Sequence, residues 1–151
     1  AGVGIGTLYR HFPTRQALLE AVYTDQIEAL RTEGEHLLER LPPAEALEAW
    51  LHAMAKFSST KRSLVGALMA TIGKESEVVS ACSTIIRASA DEMLSRAQQA
   101  GQVRADVSSA DLLRLVHAIS MTADRAPSDA GQTSRMIGLV LDGLCSQPPA
   151  R

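Results

Sequence analysis

The sequence lacks several features that would place it in other classes of protein. It has no apolar run long enough to cross a membrane, so we expect no membrane partner. It has no stretch that alternates apolar and polar residues over the length of a strand, and no internal repeat. Its formal net charge of −2 excludes a chain that is basic throughout. What remains is a helical protein whose 46% hydrophobic residues suffice to bury a core.

Cysteine is also scarce. Cys82 and Cys145 are far apart, and each lies in an apolar helical pattern. Isolated cysteines of this kind predict two buried free thiols in a protein of the reducing cytoplasm. A redox-sensing pair is the open alternative.

Motifs for catalysis and metal binding are incomplete. The glycines of residues 2–6 imitate a dinucleotide-binding loop, but no strand-turn-helix pattern surrounds them. Glu33 and His36 form a single Glu-x-x-His, whereas a di-iron bundle needs two such motifs and further carboxylates. No serine or cysteine lies in a nucleophile elbow. We therefore expect no enzyme, no cofactor and no metal site.

Apolar residues recur at helical spacing along most of the chain, which predicts an all-α fold. Breaks at Pro42 and Gly101, and a capping box from Ser108 to Asp111, set several helix ends. The predicted helices span about residues 14–40, 44–60, 63–72, 76–100, 108–125 and 129–145.

The last of these helices is apolar around most of its circumference. Such a helix needs cover on nearly all sides, which a second copy of the chain would supply. We therefore expect a homodimer, with a plain core helix as the alternative. The predicted interface residues lie on this helix and on the helix before it. They are Leu112, Val116, Ile119, Met136, Leu139, Val140, Gly143 and Leu144.

The start of the chain has the pattern of a DNA-reading element. Leu8 and Phe12 are four residues apart, so one face of a short helix is apolar. Pro13 ends that helix, and Thr14 is placed to cap the next one. Residues 1–19 carry a charge of +2 and residues 20–151 a charge of −4, which suits a cationic end on an acidic body.

Here the residues resemble a known family. Gly2-Val3, the run Gly6-Thr7-Leu8-Tyr9-Arg10-His11-Phe12-Pro13, and Arg15-Gln16-Ala17-Leu18-Leu19 are similar to the TetR family of transcriptional regulators. The resemblance implies a recognition helix followed by the start of the next helix. It also implies that Ala1 ends the preceding helix. We therefore expect this sequence to carry only the C-terminal remnant of the helix-turn-helix domain.

The resemblance assigns roles to single residues. It implies that Thr7, Tyr9 and His11 contact the operator backbone, that Arg10 reaches a base edge or a phosphate, and that Arg15 holds a phosphate. Ile5 departs from the polar residue usual there, and could touch a thymine methyl group. A core role for Tyr9 is the alternative. The predicted DNA-binding residues are Ile5, Gly6, Thr7, Tyr9, Arg10, His11 and Arg15.

The same resemblance implies a function. We expect a cytoplasmic, ligand-responsive repressor that binds a palindromic operator in double-stranded DNA as a homodimer and is released by a small-molecule effector. The alternatives are an all-α protein-interaction module and a small helical enzyme. Residues 1–20 would be the DNA-binding remnant, 21–146 the ligand-binding and dimerisation domain, and 147–151 a disordered tail.

The effector pocket is expected among the middle helices. An apolar or mildly polar effector is favoured, because few charges share these apolar stripes. The predicted pocket residues are Trp50, Met54, Phe57, Met69, Cys82, Ile86, His117 and Met121.

Overall fold

The described part of the chain is built mainly of helices. The computed structural model describes residues 10–72, 76–123 and 131–145. Its helices are α1 (Arg15–Arg40), α2 (Pro43–Ile72), α3 (Glu77–Gln99), α4 (Ser109–Ala123) and α5 (Gln132–Leu144). Over these ranges the only β feature is an isolated antiparallel bridge between Val103 and Cys145. The prediction of an all-α fold is confirmed. No helix in the described part is long and apolar enough to cross a membrane.

α1 begins and ends as its sequence predicts. The Thr14 hydroxyl oxygen accepts a hydrogen bond from the backbone N–H of Ala17 at 3.1 Å, which caps the helix. The helix ends at Leu41, because Pro42 cannot donate the next backbone hydrogen bond. Tyr23 and Ile27, four residues apart, turn the same face of α1 into the core.

α2 differs from the prediction of two helices at 44–60 and 63–72. It is one continuous helix of 30 residues that begins at Pro43. Proline suits the first position of a helix, where its missing N–H costs nothing. Between the two predicted helices lie Lys61 and Arg62, both good helix formers, so nothing there ends the backbone ladder.

α3 ends just before Gly101, as the sequence predicts. Gly101 adopts a φ of +70°, a left-handed conformation that suits glycine. Its N–H donates to the Gln98 carbonyl at 2.9 Å, and the N–H of Gln102 donates to the Ala97 carbonyl at 3.0 Å. This pair of bonds is a Schellman motif, which satisfies carbonyls at the helix end.

The loop after α3 holds the end of α5. The backbone N–H of Arg104 donates to the Leu144 carbonyl at 2.9 Å, beside the bridge from Val103 to Cys145. The Gln98 amide nitrogen also donates to the carbonyl oxygens of Arg104 and Val107, each at 3.0 Å. The loop is therefore anchored on both sides.

α4 starts with the predicted capping box. The backbone N–H of Asp111 donates to the Ser108 hydroxyl oxygen at 3.2 Å, and the Ser108 hydroxyl donates to the Asp111 carboxylate at 2.6 Å. α5 begins at Gln132, later than the predicted start near residue 129, which lies outside the described residues.

The core forms around Trp50 of α2, which is fully buried. Its indole N–H donates to the Leu30 carbonyl of α1 at 3.3 Å. Tyr23 stacks on Phe57 with ring centroids 6.3 Å apart. Burial, aided by the nearby Cys82, raises the pKa of the Tyr23 phenol to about 12. α1, α2 and α3 thus share one core.

The two cysteines have different environments. Cys82 is buried in α3, as predicted, and is not in a disulfide. Cys145 is exposed just beyond α5, so the prediction that it is buried is wrong. The preceding Leu144 is buried at the end of α5, whereas Cys145 already lies beyond the helix.

Candidate functional site

The predicted DNA-contacting end lies at a tight turn before α1. Arg10 and His11 are helical, Phe12 leaves the helix half-buried, and Thr14 caps α1. Arg10, His11 and Arg15 are all exposed. Neither arginine forms an ion pair with another residue in the described part of the chain. These side chains are therefore available to phosphates or base edges.

Part of the predicted DNA-binding set lies outside the described residues. That part comprises Ile5, Gly6, Thr7 and Tyr9. For Arg10, His11 and Arg15 the structure gives exposure and location at one end of the chain, and their contacts with DNA stay a prediction.

A cleft of about 580 Å³ lies between α2, α3 and α4. Met54 and Ile86, both nearly buried, form an apolar floor with half-buried Leu113. Arg87, Arg114 and His117 are exposed at the rim. The cleft is lined by Met54, Ser83, Ile86, Arg87, Ala110, Leu113, Arg114 and His117.

The charges at the rim are only partly neutralised. Arg114 contacts Asp111 at 3.2 Å. The Asp111 carboxylate also accepts hydrogen bonds from Ser108, and these bonds, together with the nearby Arg114, hold the pKa of Asp111 below its usual range. Arg87 has no ion pair with any residue that the structure describes. No aspartate or glutamate is among the residues that line the cleft.

The cleft unites only some of the predicted pocket residues. Met54, Ile86 and His117 line it together. Trp50, Phe57 and Cys82 belong to the closed core instead, because their side chains fill the space between α1, α2 and α3.

The last two predicted pocket residues do not join the cleft in the described structure. Met121 is 41% exposed near the end of α4 and does not line it. The side chain of Met69 lies outside the described part of the chain.

Sequence reasoning predicted His117 but missed Ser83, Arg87 and Arg114 on the polar side of this cleft. Ser83 and Arg87 lie four residues apart on α3, and Ala110, Leu113, Arg114 and His117 follow at helical spacing on α4. That spacing showed which residues share a face of each helix. It did not show which faces meet.

A second cavity, of about 320 Å³, lies between α1 and α3. Gly34, Leu38, Ile85 and Ala88 give it apolar walls. Arg31 at its edge is already engaged, with Glu28 at 2.7 Å and with Glu35. Within the described residues, no group of three or more His, Cys, Asp or Glu side chains could hold a metal ion.

The predicted dimer residues fall into two groups. Leu112, Val116, Ile119 and Leu144 are buried in the core of the protomer itself, because α4 packs on α2 and α3 and α5 packs on α2 and α4. Met136 and Val140 are half-buried, whereas Leu139 is 71% exposed and Gly143 is exposed. Only the second group offers surface to a partner, and the interface itself stays a prediction.

The fold and the turn before α1 together define a class of protein. Exposed Arg10, His11 and Arg15 around a capped turn between two helices, attached to an all-helical body, suit a helical DNA-binding regulator. Comparison with known proteins gives the family. Residues 1–22 match the model described as bacterial regulatory proteins of the tetR family. Residues 42–146 match the C-terminal domain of SbtR-like transcriptional regulators.

Solved structures agree with these matches. A TetR transcriptional regulator of Streptomyces coelicolor is 37% identical, with a TM-score of 0.87 over 99% of this chain and 83% of its own. A TetR regulatory protein of Mycobacterium vanbaalenii is 32% identical, with a TM-score of 0.77 over 96% and 78%. A protein of unknown function from Rhodococcus sp. RHA1 shares the fold at 20% identity, with a TM-score of 0.68 over 96% and 80%. No curated protein matches significantly.

The chain belongs to the TetR family of transcriptional regulators. It is therefore related to DNA-binding regulators of transcription, a family whose members are generally not enzymes.

Proposed function

We propose that this chain is a repressor that binds a palindromic operator as a homodimer and is released when a small molecule enters the cleft between α2, α3 and α4. Residues 1–20 belong to its DNA-binding part and residues 21–146 to its ligand-binding and dimerisation domain. We place the site of repression in the cytoplasm, where the operator DNA is.

One observation carries this proposal: α1 joins the exposed cationic end to the core beside the cleft. Arg15, the first residue of α1, is exposed at the end that we propose contacts DNA. Eight and fifteen residues later, Tyr23 and Leu30 pack in the core with α2 and α3. A ligand that shifts α2 against α3 would therefore also move α1 and change the orientation of Arg15.

The test is fluorescence anisotropy with the full-length protein on operator and scrambled duplexes over a range of salt concentrations. Arg15→Ala should weaken binding to both duplexes and lower the salt slope by about one, because one phosphate contact is lost. If Arg10 reads a guanine edge, Arg10→Ala should reduce the discrimination between bases at one base pair of each half-site by roughly 1–3 kcal/mol.

The matched control is Arg40→Ala, which removes an exposed arginine from the other end of α1. It should leave operator binding unchanged. Equal loss on both duplexes for Arg10→Ala would make Arg10 a phosphate contact instead. If neither Arg10→Ala nor Arg15→Ala changes binding, this end of the chain does not contact DNA.

A further inference from the structure

We propose that the cleft between α2, α3 and α4 binds a small organic anion, a carboxylate attached to an apolar body. This inference rests on the proposed function, since it names the chemical class of the effector. It replaces the expectation from sequence of an apolar or mildly polar effector.

The rim of the cleft supplies the reason for an anion. Arg87 and Arg114 are two of its eight lining residues, and none of the eight is acidic. Arg87 has no ion-pair partner among the described residues, and Arg114 shares Asp111 with Ser108. Guanidinium groups bind carboxylates through paired, charge-assisted hydrogen bonds, so both arginines keep donors for a ligand.

The floor supplies the reason for an apolar body. Met54 and Ile86 are each only 7% exposed, and Leu113 lies beside them. The Ser83 hydroxyl already donates to the Val79 carbonyl at 2.9 Å, so it is not a donor for a ligand. Inorganic phosphate would meet the arginines but leave this floor exposed to water, whereas a hydrocarbon chain or ring would cover it.

The cavity between α1 and α3 differs from the cleft, because its charged groups are already paired. Its two acids each contact an arginine, Glu35 with Arg31 and Glu92 with Arg96 at 2.8 Å, and Arg31 is the only arginine that the structure shows lining it. An anion is therefore directed to the cleft rather than to this cavity. Arg87 distinguishes the two sites, because it lines only the cleft and has no ion-pair partner among the described residues.

The experiment is titration calorimetry of the full-length protein with octanoate, octanamide, octylammonium and inorganic phosphate. Octanoate and octanamide match in size and differ in charge. We expect octanoate to bind at least about tenfold more tightly than octanamide, because only the carboxylate gains charge-assisted hydrogen bonds. Octylammonium and phosphate should bind more weakly still.

Two variants locate the site. Arg87→Gln and Arg114→Gln should each weaken octanoate binding by about tenfold and leave octanamide binding unchanged, because the floor is intact. Arg96→Gln, on the exposed surface of the same helix but outside the cleft, should change neither. A circular dichroism melt of each variant checks that it is folded.

Several results would overturn the proposal. They are the absence of octanoate binding, equal affinity for octanoate and octanamide, tighter binding of octylammonium or phosphate, and unchanged octanoate binding in both arginine variants. None of these measurements involves DNA. If octanoate binds through Arg87 but does not release the operator, the anion site stands and the proposed function fails.

Discussion

Gly34 shows how a single residue sets the distance between helices. A Cβ atom at this position of α1 would lie 3.1 Å from Trp50 Cδ1 and 3.0 Å from Met93 Cε. The Met93 methyl group ends a flexible side chain and can turn away. Trp50 cannot, because it is fully buried and its indole N–H is bonded to the Leu30 carbonyl. Glycine therefore lets α1 pack closely against α2 and α3.

We expect Gly34→Ala to destabilise the protein by about 1 kcal/mol. Alanine gains about 1 kcal/mol in helix propensity, but overpacking of a filled core costs about 1–3 kcal/mol. The control is Ala29→Gly at an exposed position of the same helix, which should cost about 0.5–1 kcal/mol through propensity alone. Urea unfolding measures both. If Gly34→Ala stabilises the protein, the Trp50 side chain can shift to make room for the added methyl group.

The residues of the cleft show where sequence analysis stops at this scale. Met54 and Ile86 were predictable, because apolar stripes mark the inner face of a helix. Arg87 and Arg114 were not, because an arginine on an amphipathic helix is most often simply hydrated. Only the packing of α3 against α2 and α4 brings them to one cleft.

At the scale of elements, helix ends were more predictable than helix continuity. Thr14, Gly101 and Ser108 each satisfy backbone groups at a helix end by local chemistry, so their roles can be read from sequence. The unbroken course of α2 was missed, because apolar periodicity weakens near its middle without any residue that ends a helix.

The capping box of α4 gives a prediction for stability and its pH dependence. Ser108→Ala should destabilise the protein by about 1 kcal/mol, because the first turn of α4 loses its cap. Asp111→Asn should also lower the melting temperature at neutral pH. The native pKa of Asp111 lies below its unfolded value, so its contribution is present above about pH 4 and lost as the pH falls through the native pKa.

Melting curves from pH 7 down to pH 2 test this prediction. The difference between the unmodified protein and Asp111→Asn should shrink at the acid end. Glu48→Gln, an exposed acid on α2 outside any cap, serves as the control and should show no such trend. A difference that stays constant with pH would mean that the Asp111 charge does not contribute.

At the scale of the whole molecule, the apolar surface is uneven. α4 and α5 pack on each other and carry three large exposed hydrophobic side chains, which are Leu115, Met121 and Leu139. Sequence periodicity predicted that α5 is apolar on nearly every side. It could not separate the residues that face the protomer's own core from those left on the surface, because both groups recur at the same spacing.

That separation decides how the predicted dimer should be tested. Leu144 is only 6% exposed, so a charge there would unfold the protomer whether or not a dimer exists. Leu139 is 71% exposed, so Leu139→Glu leaves the protomer intact and acts only on what covers it. If α4 and α5 form the homodimer interface, the new carboxylate would be buried without a partner, at a cost of several kcal/mol.

Sedimentation equilibrium should therefore show a dimer for the unmodified protein and a monomer with the same helix content for Leu139→Glu. The control is Val22→Glu, which places the same charge on an exposed apolar residue of α1 and should leave the dimer intact. A dimer that survives both Leu139→Glu and Leu115→Glu would place the interface elsewhere. Loss of the dimer on Leu139→Glu should also weaken binding to a palindromic duplex far more than to a single half-site, since the two recognition elements would no longer be joined.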